Sequence, residues 1–396
     1  MAEINQCFFP TEEEIASQYK LKDEIHQTKY LVNGELKTFD GDRQEVLSPV
    51  CIRGSNGEIK QKVVGSYPLM TQKESLEALD AAVKSYDNGR GYWPTLPVEK
   101  RIGHMEKFLK NMIPTRDSVI NLLMWEIGKS YNDSAKEFDR TVEYVKDTIS
   151  ALKELDRVSS RPVIEQGIFG QIRRAPLGTV LCMGPYNYPL NETFTTLIPA
   201  LIMGNTAVVK PSKYGVLLHE PLLKAYQDSF PAGVINTIYG DGRQIIGPIM
   251  ESGKVDALAF IGSSKVANIL EKQHPKPNRL KCIEGLDAKN PAIILKDADL
   301  ETTVQECITG SLSYNGQRCT ALKILYVQRE IADEFTQRFS ESVDNLKCGM
   351  PWTQNVTITP LPEAGKTKYL DELVKDAQLN GARIMNKNGG QTNLTF

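Results

Sequence analysis

Apolar residues recur at helical spacing in the first part of the chain and in short runs after it. Between residues 71 and 156 they return at every third or fourth position, as from Leu76 to Tyr86, which is typical of amphipathic helices. Thr71 and Glu74 form a capping-box pair where this segment starts. The pattern predicts further helices within residues 102–113 and 138–155.

The segment 158–174 has a different pattern. Pro162, Gly167 and Gly170 stand among β-branched residues there, which is typical of an extended hairpin. Such an arm could reach a partner subunit.

From Gly178 onward, short apolar runs alternate with helical segments. This alternation is typical of a parallel sheet that helices cover on both faces, so an α/β fold is expected. The strands expected before residue 290 are residues 179–183, 206–209, 234–238 and 257–261. After residue 290 we expect strands at 291–295, 324–327 and 382–385, helices at 300–312 and 369–378, and another strand starting within 389–396.

Composition favours a soluble protein that acts on small molecules. The chain has 396 residues, 41% of them hydrophobic, and a formal net charge of -2, so it can bury large cores but offers no basic surface for nucleic acid. Seven cysteines without a CxxC pair and four isolated histidines argue against disulfides and against a metal site. We therefore expect a reducing cytoplasmic compartment, no leader peptide and no membrane span.

Cys319 is the candidate nucleophile. Arg318 places a permanent positive charge directly before it, which favours the thiolate. Gly316 lets the backbone approach a substrate, and Thr320 is small and polar. A buried structural cysteine is the alternative interpretation of this residue.

Glycine-containing turns follow three of the expected strands. Because ligands bind beyond the carboxyl ends of parallel strands, these turns are candidate binding loops, although each alone is more often only a turn. They are residues 183–189, 240–242 and 262–265.

Six ordered motifs make the chain resemble the aldehyde dehydrogenase superfamily from Tyr30 to its last residue. The resemblance implies a nicotinamide-binding domain, a catalytic domain and a β arm used in oligomerisation. The expected boundaries are 1–157 for the helical N-terminal part of the cofactor-binding domain, 158–176 for the arm, 177–290 for the Rossmann-like cofactor-binding domain and 291–396 for the catalytic domain. The motifs are Gly184-Pro185-Tyr186-Asn187-Tyr188-Pro189, Pro199-Ala200-Leu201 with Gly204-Asn205, Val209-Lys210-Pro211-Ser212, Pro231-Ala232-Gly233-Val234, Phe260-Ile261-Gly262-Ser263 and Asn315-Gly316-Gln317-Arg318-Cys319.

The same resemblance implies catalytic roles. Cys319 would attack an aldehyde, Asn187 and the Cys319 N–H would stabilise the oxyanion, and the resulting thioester would be hydrolysed. The family's base motif Glu-Leu-Gly-Gly-Lys is out of register here, since its glutamate position falls on Gly285. Glu284, one residue earlier, is the favoured base, and Asp287, another carboxylate or impaired hydrolysis stay open.

Substrate and cofactor preferences also follow from the resemblance. Arg140, Tyr188 and Arg318 resemble the phosphate-holding residues of NADP-dependent non-phosphorylating glyceraldehyde-3-phosphate dehydrogenases. Two guanidinium groups and a phenol suit a phosphate dianion. The expected reaction is therefore oxidation of glyceraldehyde 3-phosphate to 3-phosphoglycerate, as in glycolysis, and another anionic aldehyde or semialdehyde is the alternative.

Cofactor choice depends on the residue three positions after Lys210. Relatives that prefer NAD carry a glutamate there, whereas Lys213 and Ser212 would attract a 2′-phosphate. NADP is therefore expected, and use of NAD stays open. The other implied cofactor contacts are Pro185, Tyr186, Gly242, Gly262 and Ser263.

Relatives continue beyond the position of Phe396 with a Glu-Glu-x-Phe-Gly-Pro segment that clasps the nicotinamide ribose. A chain ending at Phe396 is expected to turn over weakly or only to bind nucleotide, as a truncated form. With a complete C-terminus, a homotetramer or homodimer is expected.

Overall fold

A computed structural model describes residues 9–387, 389–390 and 394–396. Residues 25–68 form strands, so the expectation that residues 1–157 are helical is wrong for this segment. Asn33 and Gly34 lie at φ 53° and 80° and join a hairpin, and such an Asn-Gly turn is a strong hairpin signal. The strands are β1 (Ile25–His26), β2 (Lys29–Val32), β3 (Glu35–Thr38), β4 (Arg43–Arg53) and β5 (Ile59–Pro68).

The predicted helical segment begins at residue 72. Thr71 caps the first helix, because its hydroxyl accepts the Lys73 N–H and its own N–H donates to the Glu74 carboxylate, which confirms the capping box. The α-helices are α1 (Gln72–Tyr86), α2 (Tyr92–Thr95), α3 (Val98–Met112), α4 (Arg116–Ile127) and α5 (Tyr131–Ser159).

The expected hairpin follows α5. Strands β6 (Val163–Glu165) and β7 (Ile168–Gly170) pair antiparallel across a turn in which Gln166 and Gly167 have φ of 48° and 79°. Both strands are exposed along their whole length, and Ile164 and Ile168 are each 72% exposed. The hairpin is thus confirmed, and its use in oligomerisation stays a prediction.

A five-stranded parallel sheet follows the hairpin. Its strands stand in the order β10-β9-β8-β11-β12. The chain therefore adds strands towards one edge from β8 to β10 and towards the other edge from β11 to β12. Dinucleotides bind at such a change of strand order, here between β8 and β11, in doubly wound folds. The elements are β8 (Thr179–Met183), α6 (Asn191–Ile202), β9 (Thr206–Lys210), α7 (Leu223–Ser229), β10 (Ile235–Thr237), α8 (Gly242–Glu251), β11 (Ala257–Ile261), α9 (Ser264–Gln273) and β12 (Lys281–Gly285).

A second, smaller unit has its own apolar cluster of Ile294, Val304, Cys307 and Phe335. Its two strands pair in parallel, as the strand and helix alternation predicts. The boundary near residue 290 stays a prediction. The elements are β13 (Asn290–Ile294), α10 (Leu300–Leu312), β14 (Leu322–Val327), α11 (Ala332–Asp344) and α12 (Lys366–Leu379).

The strand expected at residues 382–385 is wrong. The Ala382 N–H donates to the Ala377 carbonyl and so closes the end of α12 instead of pairing with a strand. The strand expected within 389–396 includes residues 391–393, which lie outside the described residues.

Two further expectations concern the described part of the chain. The cysteines described there, Cys51, Cys182, Cys282, Cys307, Cys319 and Cys348, are all free thiols. Among the same residues, the helices are too short or too polar to cross a bilayer.

Two glycines in the turns of the parallel sheet give a matched stability test. A Cβ on Gly184 would lie 2.0 Å from the Thr193 hydroxyl oxygen, whereas one on Gly242 would meet no atom within 4 Å. G184A is expected to lower the free energy of unfolding by about 1–3 kcal/mol through overpacking. G242A is expected to change it by less than about 0.5 kcal/mol. Urea unfolding of both variants measures this, and equal losses would contradict the close approach at Gly184.

Candidate active site

The turn before Cys319 has an unusual backbone. Tyr314, Asn315 and Gly316 have φ of 50°, 54° and 69°, a left-handed run that costs energy at the two non-glycine positions. The Asn315 amide offsets this cost by pairing with Thr359, since its Nδ2 donates to the Thr359 carbonyl at 2.8 Å and its Oδ1 accepts the Thr359 N–H at 2.9 Å. The turn is therefore fixed from outside.

Cys319 itself is exposed, and its backbone is held in place. The Asn290 side chain, at the start of β13, donates to the Cys319 carbonyl at 2.6 Å and to the Ala321 carbonyl at 3.1 Å. Within the described residues the Cys319 N–H has no hydrogen-bond partner. An accessible thiol thus lies beside a free backbone donor, as an oxyanion site requires.

Two cations flank the thiol. The Arg318 guanidinium donates to the hydroxyls of Ser313 and Thr320, and in the part of the chain that the structure describes no carboxylate pairs with it. Lys323 donates to the Arg318 carbonyl at 3.0 Å. Burial and the nearby charge of Lys289 lower the pKa of Lys323, while the charge of Cys319 opposes this shift. Positive charge therefore surrounds the candidate nucleophile.

Asn187 reaches the nucleophile turn from the turn after β8. Its Nδ2 donates to the Gln317 carbonyl at 2.6 Å. A carboxamide has two N–H donors, so the second one remains for an oxyanion. The structure therefore brings Asn187 and Cys319, which the sequence separates by more than a hundred residues, to one site.

The charges of Arg140 and Arg318 both act on the phenol of Tyr188. Burial raises the pKa of the half-buried Tyr188 phenol to about 12, and the charges of Arg318 and Arg140 partly counter this rise. Arg140 is exposed on α5, and it makes no ion pair with any described residue. Both arginines therefore lie within electrostatic reach of Tyr188, and a joint role of the three residues in holding a phosphate stays a prediction.

The carboxylates near the family's base position face other partners. Glu284 is half-buried on β12, and burial, followed by the charge of Glu271, raises its pKa. Its contacts are with Glu271 of α9 and with Cys282, and the ligand atoms of these three residues lie within 4.8 Å of one another. Asp287 instead accepts hydrogen bonds from the Ser264 N–H at 2.9 Å and the Ser264 hydroxyl at 2.7 Å. Gly285 occupies the base position itself and carries no side chain.

The predicted cofactor residues lie at the carboxyl edge of the parallel sheet. Pro185 and Tyr186 follow β8, and Gly262 and Ser263 precede α9, so these two turns flank the point where the strand order reverses. Ser263 caps α9, because its hydroxyl accepts the Val266 N–H. Gly242 is the first residue of α8, which follows the edge strand β10.

The basic residues after β9 suit an anionic cofactor. Burial lowers the pKa of Lys210 to about 8, against the opposing charge of Asp241. Lys213 is exposed, with its Nζ 5.6 Å from the centre of the Tyr214 ring, and Ser212 lies half-buried between the two lysines. Because both lysines stand at the edge where the turns collect, they can contact a phosphate of a bound nucleotide.

Several residues of the site are absent from the sequence predictions. Lys129 donates to the Asn187 carbonyl and pairs with Glu137, both deep inside the protein. Glu363 is the third such residue, and its carboxylate lies 3.4 Å from the hydroxyl of Tyr186, a predicted cofactor contact. The same hydroxyl lies 3.4 Å from the Gln317 side chain. A polar side chain buried by a distant segment leaves no periodic signal, so sequence spacing alone could not find these residues.

Comparisons with known proteins agree with this geometry. A sequence model described as the aldehyde dehydrogenase family matches residues 55–395. An NADP-dependent glyceraldehyde-3-phosphate dehydrogenase of Streptococcus equinus is 34% identical over 366 residues, covering 90% of this chain and 72% of that protein. A malonate-semialdehyde dehydrogenase of Bacillus cytotoxicus is 30% identical over 364 residues, covering 91% and 72%.

A solved structure has the same fold. The crystal structure of NADP-dependent glyceraldehyde-3-phosphate dehydrogenase from Bacillus halodurans C-125, complexed with NADP, superimposes with a TM-score of 0.80 at 28% identity, covering 94% of this chain and 76% of that one. With an exposed thiol, a carboxamide donor and glycine turns at a doubly wound sheet, the chain belongs to the aldehyde dehydrogenase family and is an aldehyde-oxidising oxidoreductase.

Proposed function

We propose that this enzyme oxidises glyceraldehyde 3-phosphate to 3-phosphoglycerate with NADP, through a thioester on Cys319. The observation that carries the substrate proposal is that the Tyr188 phenol lies within electrostatic reach of both Arg140 and Arg318, and that Arg318 directly precedes Cys319. Two guanidinium groups that make no ion pair with a described carboxylate can together balance the charge of a phosphate dianion and donate hydrogen bonds to it.

The acylation step uses the nucleophile turn and the turn after β8. The Cys319 Sγ adds to the aldehyde carbon, and the oxyanion that forms would accept hydrogen bonds from the Asn187 amide and the Cys319 N–H. A nicotinamide cofactor held by the turns at the sheet edge would supply the hydride acceptor, and Cys319 would then hold the acyl group as a thioester. Arg318 and Arg140 hold the distal phosphate and so orient the carbonyl towards the thiol.

Hydrolysis of the thioester needs a base, and Glu284 is the residue we propose. Its raised pKa suits a group that takes a proton from water. Its contacts with Glu271 and Cys282 require the side chain to turn away from α9 before it can serve Cys319. The acyl group would leave as the acid, and the proton would return the thiol to its resting state.

NADP is the proposed cofactor. Lys210 and Lys213 stand where relatives that prefer NAD carry a lysine and a glutamate, and the two cations favour the 2′-phosphate by charge. The solved NADP complex of the Bacillus halodurans enzyme supports this choice. Catalysis in the cytoplasm by an oligomer built through the β6–β7 hairpin belongs to the same proposal, because the exposed apolar strands of that hairpin suit a partner subunit.

A second candidate substrate is a semialdehyde with a carboxylate group. The same guanidinium groups can hold a carboxylate, and the Bacillus cytotoxicus relative carries the name malonate-semialdehyde dehydrogenase.

Removal of Arg140 tests the phosphate proposal. R140A is expected to raise KM for glyceraldehyde 3-phosphate by about 10-fold or more, since a charge-assisted hydrogen bond contributes about 1.5–3 kcal/mol. KM for unphosphorylated glyceraldehyde should stay within about twofold, because that substrate has no anion to hold. Steady-state rates at varied concentrations of each aldehyde, with NADP and with NAD as cofactor, give both KM values.

R157A is the matched control for Arg140. Arg157 lies on the same helix and pairs with Glu154, away from Tyr188, so its loss should leave both KM values unchanged. Equal efficiency of the wild-type enzyme on phosphorylated and unphosphorylated glyceraldehyde would overturn the phosphate proposal. Higher efficiency on malonate semialdehyde would favour the second candidate.

The Glu271 and Glu284 pair gives a pH-dependent test of the base. E284Q is expected to keep the first burst of NADPH and to slow steady-state turnover by about 100-fold or more, because only hydrolysis uses the base. E271Q removes the negative charge that raises the pKa of Glu284, so the acidic limb of the rate profile should move to lower pH. Unchanged turnover in E284Q would show that Glu284 is not the base.

Cys319 and Cys282, two of the three exposed thiols among the described residues, should differ in reactivity. Burial and the charges of Glu271 and Glu284 raise the pKa of Cys282 to about 11, so only about one molecule in a thousand carries that thiolate at pH 8. Iodoacetamide at pH 8 is therefore expected to label Cys319 at least about 10-fold faster than Cys282, as measured by peptide mass spectrometry. Faster labelling of Cys282 would argue against Cys319 as the nucleophile.

A further inference from the structure

A fully buried ion pair lies directly behind the candidate site. The Lys129 Nζ is 2.5 Å from Oε2 of Glu137, and both side chains have 0% of their surface exposed. Burying two charges costs several kcal/mol per ion, and an apolar pair of the same volume is often equally stable or more stable. Stability alone therefore does not explain why this ion pair is buried behind the site.

Lys129 contacts both turns that form the site. Its Nζ donates to the Asn187 carbonyl at 2.8 Å. The same ammonium lies 3.5 Å from the centre of the Tyr188 ring and 4.5 Å from the centre of the Tyr314 ring, which are cation–π distances. Tyr188 follows the oxyanion asparagine, and Tyr314 begins the left-handed turn that leads to Cys319.

Glu137 holds the other end of the Asn187 turn. Its Oε1 accepts the N–H groups of Leu190 at 3.0 Å and Asn191 at 3.1 Å, where α6 begins. The pair thus fixes the backbone on both sides of Tyr188. The start of a helix also stabilises a carboxylate placed there, because the positive end of the helix dipole lies at the N-terminus.

The backbone that carries Lys129 is itself constrained. Gly128 has φ of 67°, and a Cβ there would lie 2.2 Å from the Pro360 carbonyl oxygen. Ser130 caps α5 through the Asp133 N–H at 3.1 Å. Lys129 therefore points inward from a rigid corner between α4 and α5.

We propose that Lys129 is a positioning residue, which acts with Glu137 to set the Asn187 amide and the Cys319 turn in register for oxyanion stabilisation. This inference rests on the proposed roles of Cys319 and Asn187. The ammonium touches neither substrate nor thiol, and it acts through the Asn187 carbonyl and the two tyrosine rings. Loss of its charge would let the two turns shift relative to each other, and shifts of about 1 Å can cost 100-fold in rate.

The test uses the double variant K129M/E137Q, which removes both charges and so leaves neither buried ion unpaired. In E137Q the amide oxygen still accepts the Leu190 and Asn191 N–H groups. With the full chain, NADP and glyceraldehyde 3-phosphate, the rate constant of the NADPH burst should fall by about 10-fold to 100-fold. KM for NADP should stay within about threefold, because the contacts of Lys129 in the turn after β8 are with Asn187 and Tyr188, which follow the proposed cofactor residues Pro185 and Tyr186.

R101M is the matched control. Arg101 is a buried cation that donates to backbone carbonyls of Ile202 at 2.8 Å and Leu96 at 2.5 Å, at the opposite end of α6 from Asn191. Its loss should lower the unfolding midpoint without changing the burst rate. If K129M/E137Q acted only by lowering stability, its burst rate would stay unchanged, as in R101M.

Coupling to Asn187 distinguishes positioning from a general structural role. In wild type, N187A should slow the burst by about 100-fold or more, and in K129M/E137Q the same substitution should cost at least about fivefold less. The single variant K129R keeps the positive charge beside an unchanged Glu137. Its burst rate should therefore lie between those of K129M/E137Q and wild type. Full additivity of N187A with K129M/E137Q, or a burst rate within threefold of wild type in K129M/E137Q, would overturn the inference.

Failure of the proposed function gives a different result. If C319S or N187A alone leaves the burst unchanged, the proposed nucleophile or oxyanion donor is wrong, whatever the Lys129 variants do. If both single variants lose the burst and K129M/E137Q keeps it, only the positioning role is wrong.

Discussion

The hydrogen bond from the Asn187 amide to the Gln317 carbonyl joins the two parts of this molecule at the point where chemistry is expected. One partner follows the first strand of the parallel sheet, and the other precedes the candidate nucleophile. The strands and helices alone fix the position of each turn only approximately, because both turns are loops. This bond and the buried Lys129 ammonium behind it convert that loose placement into a defined distance between an amide donor and a thiol.

The charges around the thiol follow from the same arrangement. Arg318 donates to hydroxyls, and Lys323 donates to a backbone carbonyl, so neither forms an ion pair with a carboxylate in the described part of the chain. The carboxylates of the neighbourhood are engaged elsewhere, with Asp287 on Ser264 and Glu284 beside Glu271. The site therefore offers hydrogen-bond donors for an oxyanion more clearly than it offers a base that could activate water.

Much of the fold was predictable because the central strands are fully buried. Strands 179–183 and 257–261 begin and end in the structure where the apolar runs do, since a strand covered on both faces is a continuous apolar run. The strands within residues 25–68 were missed because they are short or partly exposed, which leaves only a weak pattern. Two Asn-Gly pairs, Asn33-Gly34 and Asn56-Gly57, were the signals that would have indicated hairpins there.

Site residues were predictable only where they belong to a local sequence motif. Cys319 and Asn187 follow from local motifs, and their approach follows from the parallel sheet, which collects the ends of its strands at one edge. The burial of Lys129 and Glu137 could not be predicted, because a lysine and a glutamate eight positions apart usually lie in solvent and only tertiary packing encloses them. The direction of the Glu284 side chain depends on α9 in the same way.

The central claim is that the aldehyde carbon becomes bonded to Cys319. The direct measurement is to mix the enzyme with NADP and glyceraldehyde 3-phosphate, quench in acid within milliseconds and locate the acyl adduct by peptide mass spectrometry. A 3-phosphoglyceroyl thioester on the peptide that contains Cys319 is the predicted result. An adduct on another cysteine, or NADPH formation with no adduct at any time point, would contradict the account.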